Sequence, residues 1–132
     1  ISSVTCWGTG KPLREFMHVH DLGDAVLFAL EHWNPLSKDA PFDQYGKPLS
    51  YLNVGTGKDI SIKELATLIA KAVNFKGEVL WDKSKPDGTF RKNLCIKKIK
   101  NLGWAPKIGI KDGILKTLET FKKELIEGSI KS

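Results

Sequence analysis

Four stretches of the chain space their apolar residues three and four positions apart, which is the pattern of a helix with one buried face. Ser61 and Glu64 form a capping box, which predicts the start of the second helix, and Gly103 is a typical stop for the third. Asp21 is placed to cap the first helix, which cannot continue past Pro35. The predicted helices cover 21–33, 61–73, 96–102 and 114–128.

Short stretches between the helices alternate apolar and polar residues or are apolar throughout, as strands do. The segment 8–12 is rich in turn-forming residues and separates the first two strands. Because strands and helices alternate, the predicted fold class is α/β, in one small mixed domain. The predicted strands cover 4–7, 14–19, 51–54 and 78–81, and polar loops without periodicity cover 34–48 and 83–92.

The chain has 132 residues, of which 41% are hydrophobic and 27% are charged. This composition favours a single compact domain, 1–132, over a disordered segment. No apolar run approaches the roughly 18 residues of a membrane span, and no signal peptide is visible, so we expect a cytoplasmic protein without a membrane partner. The chain opens at Ile1 without an initiator Met, which predicts a piece that starts in mid-protein.

The formal net charge of +6 predicts an anionic partner but does not identify it. Lysine pairs such as Lys97-Lys98 and Lys122-Lys123 fall on helical stretches, where a solvated helix face is the favoured interpretation. No stripe of basic and aromatic residues suited to stacking bases is present, so nucleic acid is not the expected partner. A stand-alone module that binds anionic ligands stays open as an alternative.

Cys6 and Cys95 are the only cysteines, and they show neither a CxxC pair nor the spacing of zinc ligands. A reduced protein in which both pack as small apolar residues explains them best. His18 and His20 project to the same face of the predicted strand, beside Asp21, which leaves a metal or acid–base site open. No third ligand falls in register with them, so structural or capping roles are favoured.

Two Gly-Thr-Gly tripeptides, at 8–10 and 55–57, are candidates for loops that hold phosphate. Neither continues into the GxGxxG fingerprint of dinucleotide-binding proteins, so a tight turn is favoured for both. Hydride transfer of the short-chain dehydrogenase type also needs a Tyr followed four residues later by a Lys. Neither Tyr45 nor Tyr51 has a Lys at that spacing, so this chain alone has no route to that reaction.

Trp7, Arg14, Asp87 and Lys92 form the set of residues best suited to a ligand. Arg offers a planar fork that binds phosphate through two hydrogen bonds, and Lys supplies a compact charge. Together with a Trp near a strand end and a Pro-Asp-Gly loop, these residues could cradle a nucleotide diphosphate. From spacing alone, packing of Trp7 and solvation of the charged residues are the stronger interpretation.

The run from Trp7 to Asp21, WGTGKPLREFMHVHD, resembles the start of the C-terminal region of the GDP-L-fucose synthases, a group of extended short-chain dehydrogenases/reductases. The Arg-Glu-Phe stretch alone is typical of the wider sugar-nucleotide family, whereas Trp-Gly-Thr-Gly and Lys-Pro-Asp-Gly-Thr narrow the resemblance to this one. Further segments follow in the family's order over nearly the whole chain. They are LNVGTG at 52–57, SIKEL at 61–65, SKPDGT at 84–89, Arg91-Lys92 and Leu102-Gly103-Trp104.

The resemblance implies an activity for the whole protein. Members of the family convert GDP-4-keto-6-deoxy-D-mannose to GDP-L-fucose, epimerising two sugar carbons and then reducing the keto group with NADPH. The resemblance further implies that this chain is a C-terminal substrate-binding domain without the Rossmann domain. The NADP(H)-binding domain and the catalytic residues would precede it, so Cys6 and His18 are not the catalytic Cys and His, and this chain alone is expected to bind no cofactor.

The resemblance also implies partners for the chain. We expect a GDP-sugar substrate, the N-terminal cofactor domain of the same protein and, at full length, a second copy in a homodimer. An apolar patch should be exposed where the cofactor domain normally packs, because faces between domains bury apolar surface.

By resemblance, Trp7 and Arg14 match substrate-contacting positions, and Asp87 and Lys92 match loop positions that approach the nucleotide. The chemistry of the residues agrees, since Arg14 and Lys92 suit a pyrophosphate and Trp7 can wall the sugar or base.

Two features depart from the family. His20 stands where the family usually has Asp, and the 34–48 loop is longer than in many members. Another extended short-chain sugar-nucleotide epimerase or dehydratase stays open as an alternative function.

The isolated 132-residue chain is expected to be inactive, because its sequence lacks the Tyr/Lys pair and the dinucleotide loop that hydride transfer needs. The absorbance of NADPH, followed in the presence of the keto-sugar nucleotide, tests this. Steady oxidation of NADPH by the chain alone would contradict the expectation.

Overall fold

Helices and short strands alternate along residues 2–128, which are the residues that the computed structural model describes. This arrangement confirms the α/β fold class, and the four predicted helices are all present. The elements are β1 (Ser3–Trp7), β2 (Leu13–Glu15), α1 (Val19–His32), β3 (Asp59–Ser61), α2 (Ile62–Ala72), β4 (Glu78–Asp82), β5 (Arg91–Lys92), α3 (Lys97–Leu102) and α4 (Ile110–Ile126).

The chain divides into two units, and neither is continuous in sequence. The first unit holds β1, β4, β5, α2 and α4, and the second holds α1 and α3. Of the described residues, the first unit takes those up to Arg14, Ile60–Lys92 and those from Gly109, and the second takes Glu15–Asp59 and Asn93–Ile108.

Parallel strand pairing shapes the first unit. β1 pairs with β4 in a register that puts Trp7 opposite Asp82. β2 pairs with β5 so that Arg14 lies opposite Lys92, and β2 is the middle strand of the order β3-β2-β5. In the same unit, α2 packs against α4. The pairing therefore makes neighbours of residues that lie about 75 positions apart along the chain.

The capping box predicted for the second helix is confirmed. Ser61 Oγ accepts a hydrogen bond from the Glu64 N–H at 3.1 Å, and Glu64 Oε2 accepts from the Ser61 N–H at 3.0 Å and from its hydroxyl at 2.7 Å. These bonds hold the pKa of Glu64 below its ordinary value. The carboxylate is therefore charged at neutral pH, beside the positive end of α2.

A small apolar core built around α1 and α3 holds the second unit together. Ala25 of α1 is buried with Ile96, Ile99 and Trp104. Gly103 ends α3 in a left-handed conformation, with φ at 116°, as its position in the sequence predicts. Partly buried residues pack around this core: Met17, Phe28, Leu52 and Val54.

A polar network accompanies the burial of Trp104. Its Nε1 donates to Asp24 Oδ2 at 2.9 Å, and Lys107 Nζ donates to the two oxygens of the same carboxylate at 3.2 and 3.1 Å. The bond from Lys107, followed by the bond from Trp104, holds the pKa of Asp24 below its ordinary value. Because a buried indole N–H needs an acceptor, Asp24 of α1 is what allows Trp104 to enter the core.

The start of α1 differs from the prediction. The second strand ends at Glu15, and the helix begins at Val19, inside the stretch predicted to be strand. His18 is the N-cap, and its Nδ1 accepts from the His20 N–H at 3.2 Å. The two histidines therefore share no strand face, and their rings meet edge to face at 4.8 Å. The N-cap role predicted for Asp21 is wrong.

Asp21 holds a loop rather than a helix end. Its carboxylate is 2% exposed and accepts from the backbone N–H groups of Lys107 at 3.1 Å and Ile108 at 2.9 Å. A carboxylate buried this deeply requires such donors, since burial without them is costly. The partners lie more than 80 positions away, so local pattern alone pointed to the nearer and incorrect role.

The strand predicted at 51–54 is absent from the structure. Its apolar pattern nevertheless indicated burial correctly, because Leu52 and Val54 pack against the core. A strand also requires a hydrogen-bonded neighbour, and apolar pattern does not reveal whether one is present.

Cys6 is half-buried in β1, whereas Cys95 is exposed, so the predicted packing of Cys95 is wrong.

One face of α1 carries exposed apolar side chains. Val19, Leu22, Val26 and Leu30 are spaced three and four apart, so they lie on one side of the helix. They are 68%, 45%, 51% and 79% exposed. A contiguous apolar surface of this kind marks a place where another surface packs, and it has the character of the apolar patch expected from the sequence.

We expect the chain to self-associate at high concentration through this face of α1, because association removes apolar surface from water. Leu30→Glu should shift sedimentation equilibrium toward the monomer. Leu36→Glu is the matched control, since Leu36 is 91% exposed but lies outside the helix, and it should change nothing. A strictly monomeric wild-type chain that binds no apolar dye would rule this out.

Candidate functional site

The candidate site lies in the first unit, where two parallel strands end side by side. β1 ends at Trp7 opposite Asp82, the last residue of β4, and the Gly8 N–H donates to the Asp82 carbonyl at 2.9 Å. The turn that follows β1 and the loop that follows β4 therefore leave the sheet at the same edge. In parallel sheets, this carboxyl edge is where ligands commonly bind.

The turn after β1 depends on two glycines in the left-handed region. Gly8 has φ at 82° and Gly10 has φ at 71°. A Cβ on Gly8 would collide with the Asp87 carboxylate, and a Cβ on Gly10 would lie 2.7 Å from the Trp81 ring. The first Gly-Thr-Gly is thus a tight turn with close neighbours, which agrees with the interpretation favoured from the sequence.

Asp87 closes the site by binding the residue between these glycines. The Thr9 N–H donates to Asp87 Oδ1 at 2.8 Å, and the Thr9 hydroxyl donates to Oδ2 at 2.6 Å. The hydroxyl bond first, then the backbone bond and the charge of Lys11, hold the pKa of Asp87 below its ordinary value. The carboxylate is therefore ionised at neutral pH, and both of its oxygens are engaged by the protein.

Arg14 and Lys92 lie next to each other across the β2–β5 pair. Arg14 Nη1 donates to the Leu13 carbonyl at 2.7 Å, and its Nη2 would lie 3.2 Å from a Cβ on Gly88. The guanidinium thus rests against the loop that contains Asp87. The structure brings two cations to this loop, and Lys92 is exposed.

Two carboxylates that could have neutralised Arg14 are bound to backbone groups instead. Glu15 accepts from the Thr56 N–H at 2.6 Å and the Leu94 N–H at 3.0 Å, and Asp21 accepts from the loop after Trp104. These backbone bonds compete with an ion pair between Arg14 and either carboxylate.

Trp7 is exposed over 74% of its surface at the end of β1. Lys85 Nζ lies 5.5 Å from the centre of its ring, within the range of a cation–π contact. Packing in the core, the stronger interpretation from spacing alone, does not describe this residue. Most of its surface is therefore open to solvent.

Sequence reasoning missed Thr9 and Lys85 as members of the site. Thr9 lies inside a recognisable turn tripeptide, but its partner is 78 positions away. Lys85 belongs to a polar loop, where the sequence alone predicts a solvated lysine side chain. The parallel pairing of β1 with β4 and of β2 with β5 brings the two loops together.

The second Gly-Thr-Gly, in the second unit, carries no open phosphate loop. Glu15 Oε1 accepts from both the Thr56 N–H and the Gly57 N–H, at 2.6 and 3.3 Å, and a Cβ on Gly55 would collide with that same carboxylate. A phosphate would need these N–H donors, and a protein carboxylate already occupies them. The tight-turn interpretation is again the one that the geometry supports.

Residues 2–128 contain no group of three or more His, Cys, Asp or Glu side chains placed to hold a metal ion. Within the same residues, none of the helices has the length and apolar character needed to cross a bilayer.

Comparison with known proteins shows which proteins this chain is similar to. The model of the NAD dependent epimerase/dehydratase family matches residues 2–40. Probable GDP-L-fucose synthase 1 of Oryza sativa subsp. japonica and GDP-L-fucose synthase of Escherichia coli K12 are each 42% identical to this chain, over 95% and 89% of its length. This chain is homologous to GDP-L-fucose synthases. The alignments cover 34% and 36% of those proteins, so the chain spans about a third of their length.

Solved structures agree with this relationship. A GDP-6-OMe-4-keto-L-xylo-heptose reductase from C. jejuni is 40% identical, with a TM-score of 0.82, over 93% of this chain and 34% of that protein. A GDP-mannoheptose C4 reductase from Campylobacter jejuni, with NADP bound, is 36% identical, with a TM-score of 0.74, over 92% of this chain and 35% of that protein. The resemblance inferred from the sequence motifs is confirmed, and these relatives are all named for GDP-linked sugars.

Replacing Gly8 tests the geometry of the turn after β1. Gly8→Ala should destabilise the chain by about 1–2 kcal/mol from the left-handed backbone alone, and the collision with Asp87 adds to that. Gly23→Ala is the matched control, because Gly23 lies within α1 with open space around it and should gain about 0.5–1 kcal/mol. Urea unfolding of both variants measures the difference, and equal stabilities would show that the turn is not constrained as described.

Proposed function

We propose that this chain is the substrate-binding part of a longer enzyme that acts on GDP-sugars, and that the enzyme is a GDP-L-fucose synthase. The reaction is conversion of GDP-4-keto-6-deoxy-D-mannose to GDP-L-fucose, by 3,5-epimerisation and NADPH-dependent reduction of the 4-keto group. The observation that carries the proposal is 42% identity to a probable GDP-L-fucose synthase across 95% of this chain.

The geometry of the first unit supports a role in binding the nucleotide diphosphate. Arg14 and Lys92 are adjacent cations at the end of a short parallel pair, and a guanidinium and an ammonium together suit the charge of a pyrophosphate. Trp7 offers an exposed aromatic face close to Lys85, against which a sugar or base can pack. In this proposal Asp87 acts through the loop that it holds, since Thr9 engages both of its oxygens.

The rest of the enzyme is proposed to supply the chemistry. A preceding NADP(H)-binding domain would carry the catalytic residues, as the relatives are three times as long as this chain and one related reductase holds NADP. The exposed apolar face of α1 is the proposed contact for that domain. A cytoplasmic homodimer is the proposed form of the full-length protein.

A second candidate is a GDP-sugar reductase with a different sugar. The observation in its favour is the heptose reductase from C. jejuni, which is 40% identical to this chain and thus as similar as the fucose synthases. Both candidates share the GDP moiety, so the residues proposed here for the pyrophosphate serve either one.

Turnover by the full-length protein separates the candidates. The protein is incubated with NADPH and, separately, with GDP-4-keto-6-deoxy-D-mannose and a GDP-4-keto-heptose, and the products are identified by mass spectrometry and NMR. GDP-L-fucose is the expected product. Reduction of the heptose alone would establish the second candidate, and no reaction with either, together with steeply salt-dependent binding to DNA or RNA, would establish a stand-alone anion-binding module.

Arg14→Ala in the full-length enzyme should weaken GDP-sugar binding by about 1.5–3 kcal/mol, the worth of a hydrogen bond between charged groups. The loss should appear chiefly in KM, because the pyrophosphate is remote from the reacting carbons and is held similarly in the ground and transition states. Arg14→Lys should recover only part of the loss, since Lys keeps the charge but not the fork.

Melting temperature and KM are measured on the same Arg14 variants. If Arg14 only supports the fold through its bond to the Leu13 carbonyl, the alanine variant will lose stability while its KM stays the same. That outcome would remove Arg14 from the proposed site.

A further inference from the structure

The pair formed by Thr9 and Asp87 joins two loops that the sequence separates by 78 positions. We propose that Thr9 is a positioning residue, which holds Asp87 and thereby fixes the middle of the 83–90 loop in the arrangement that binds the diphosphate. The ligand part of this inference rests on the proposed function, whereas the positioning of the loop does not.

Hydrogen bonds tie the segment 82–90 to the segment 8–13 at three places. At its start, the Gly8 N–H donates to the carbonyl of Asp82, and at its end, the Leu13 N–H donates to the carbonyl of Phe90. Both of those ties involve backbone atoms, so side-chain substitution leaves them in place. The middle tie is the pair of bonds between Thr9 and Asp87, and it alone depends on the identity of side chains.

Each oxygen of the Asp87 carboxylate accepts its own hydrogen bond from Thr9. The Thr9 N–H and hydroxyl meet different oxygens of the carboxylate, at 2.8 and 2.6 Å. Two such bonds fix the plane of the carboxylate as well as its position, whereas one bond would leave it free to rotate. The close approach of the two loops at Gly8, where no Cβ fits against Asp87, is part of the same contact.

The fixed carboxylate places the next residue of the loop against the binding side chain. Gly88 follows Asp87 directly and lies beside Arg14 Nη2, while Arg14 Nη1 is held by the Leu13 carbonyl. The guanidinium is thus confined between its own strand and the loop. Release of Asp87 would free Gly88 and widen the range of positions open to the fork of Arg14.

The bonds between Thr9 and Asp87 also affect the electrostatics of the proposed diphosphate site. A free carboxylate next to a bound diphosphate would repel it, and Asp87 is ionised at neutral pH. The two donors of Thr9 face its oxygens and offset part of that charge, as hydrogen bonds to a carboxylate do. The two bonds therefore reduce, without removing, the repulsion between Asp87 and an anionic ligand.

The test compares two threonines in identical tripeptides. Thr9→Val removes the hydroxyl with little change of shape, and Thr9→Ser retains it. Thr56→Val is the matched control in the second Gly-Thr-Gly, where the hydroxyl donates to the Lys58 carbonyl and contacts no carboxylate in the described part of the chain. Each 132-residue variant is studied by 15N relaxation of residues 83–90 and by calorimetric titration with GDP.

Thr9→Val should lower the backbone order parameters of Gly88 and Thr89 from the rigid range near about 0.85 toward 0.6 or below. It should weaken GDP binding by roughly two- to fivefold, the scale of an exposed charged contact. Thr9→Ser should restore both, and Thr56→Val should change neither. Asp87→Asn, which keeps an acceptor oxygen for only one of the two bonds, should lower the order parameters less and serves if Thr9→Val does not fold.

The outcomes separate this inference from the proposed function. Unchanged order parameters in both Thr9→Val and Asp87→Asn would overturn the positioning role, and a mobile loop with unchanged GDP affinity would overturn its connection to the ligand. If the wild-type chain and the full-length protein both fail to bind GDP, the proposed function fails, and the relaxation data alone decide whether Thr9 positions the loop.

Discussion

Backbone N–H groups in loops need acceptors that neither helix nor strand provides, and in this chain carboxylates supply several of them. Glu15 serves the loop at Thr56 and the segment at Leu94, Asp21 serves the stretch at Lys107, and Asp87 serves Thr9. Each pairing crosses at least 40 positions of sequence. Long connections with little regular structure are thereby fixed without a large apolar core, which a chain of this size can only partly provide.

The parts of the fold that could be predicted are those whose causes lie close together in sequence. The capping box of Ser61 and Glu64 and the left-handed stop at Gly103 are both complete within a few residues, and both are found as predicted. The extent of the second strand and the strand at 51–54 were predicted wrongly, because strand pairing depends on a partner elsewhere in the chain. Asp21 shows the same limit, since its true partner follows more than 80 positions later.

The candidate site also was predictable only in part from the sequence. Residue chemistry proposed Arg14 and Lys92 for a phosphate, and family resemblance added weight to Trp7 and Asp87, but the residues alone favoured packing and solvation. The structure adds that Arg14 and Lys92 are neighbours and that Thr9 engages Asp87. Neither fact follows from spacing, because both depend on parallel pairing between strands that are far apart along the chain.

The discontinuous course of the chain has a consequence for its synthesis. The second unit has all of its residues once Ile108 has been made, but the first unit still lacks α4, against which α2 packs. During translation, α2 must therefore wait, with its packing face uncovered, until α4 leaves the ribosome. Such a late completion exposes apolar surface to other nascent chains, so demand for chaperones should fall on α2 rather than on the earlier-completed second unit.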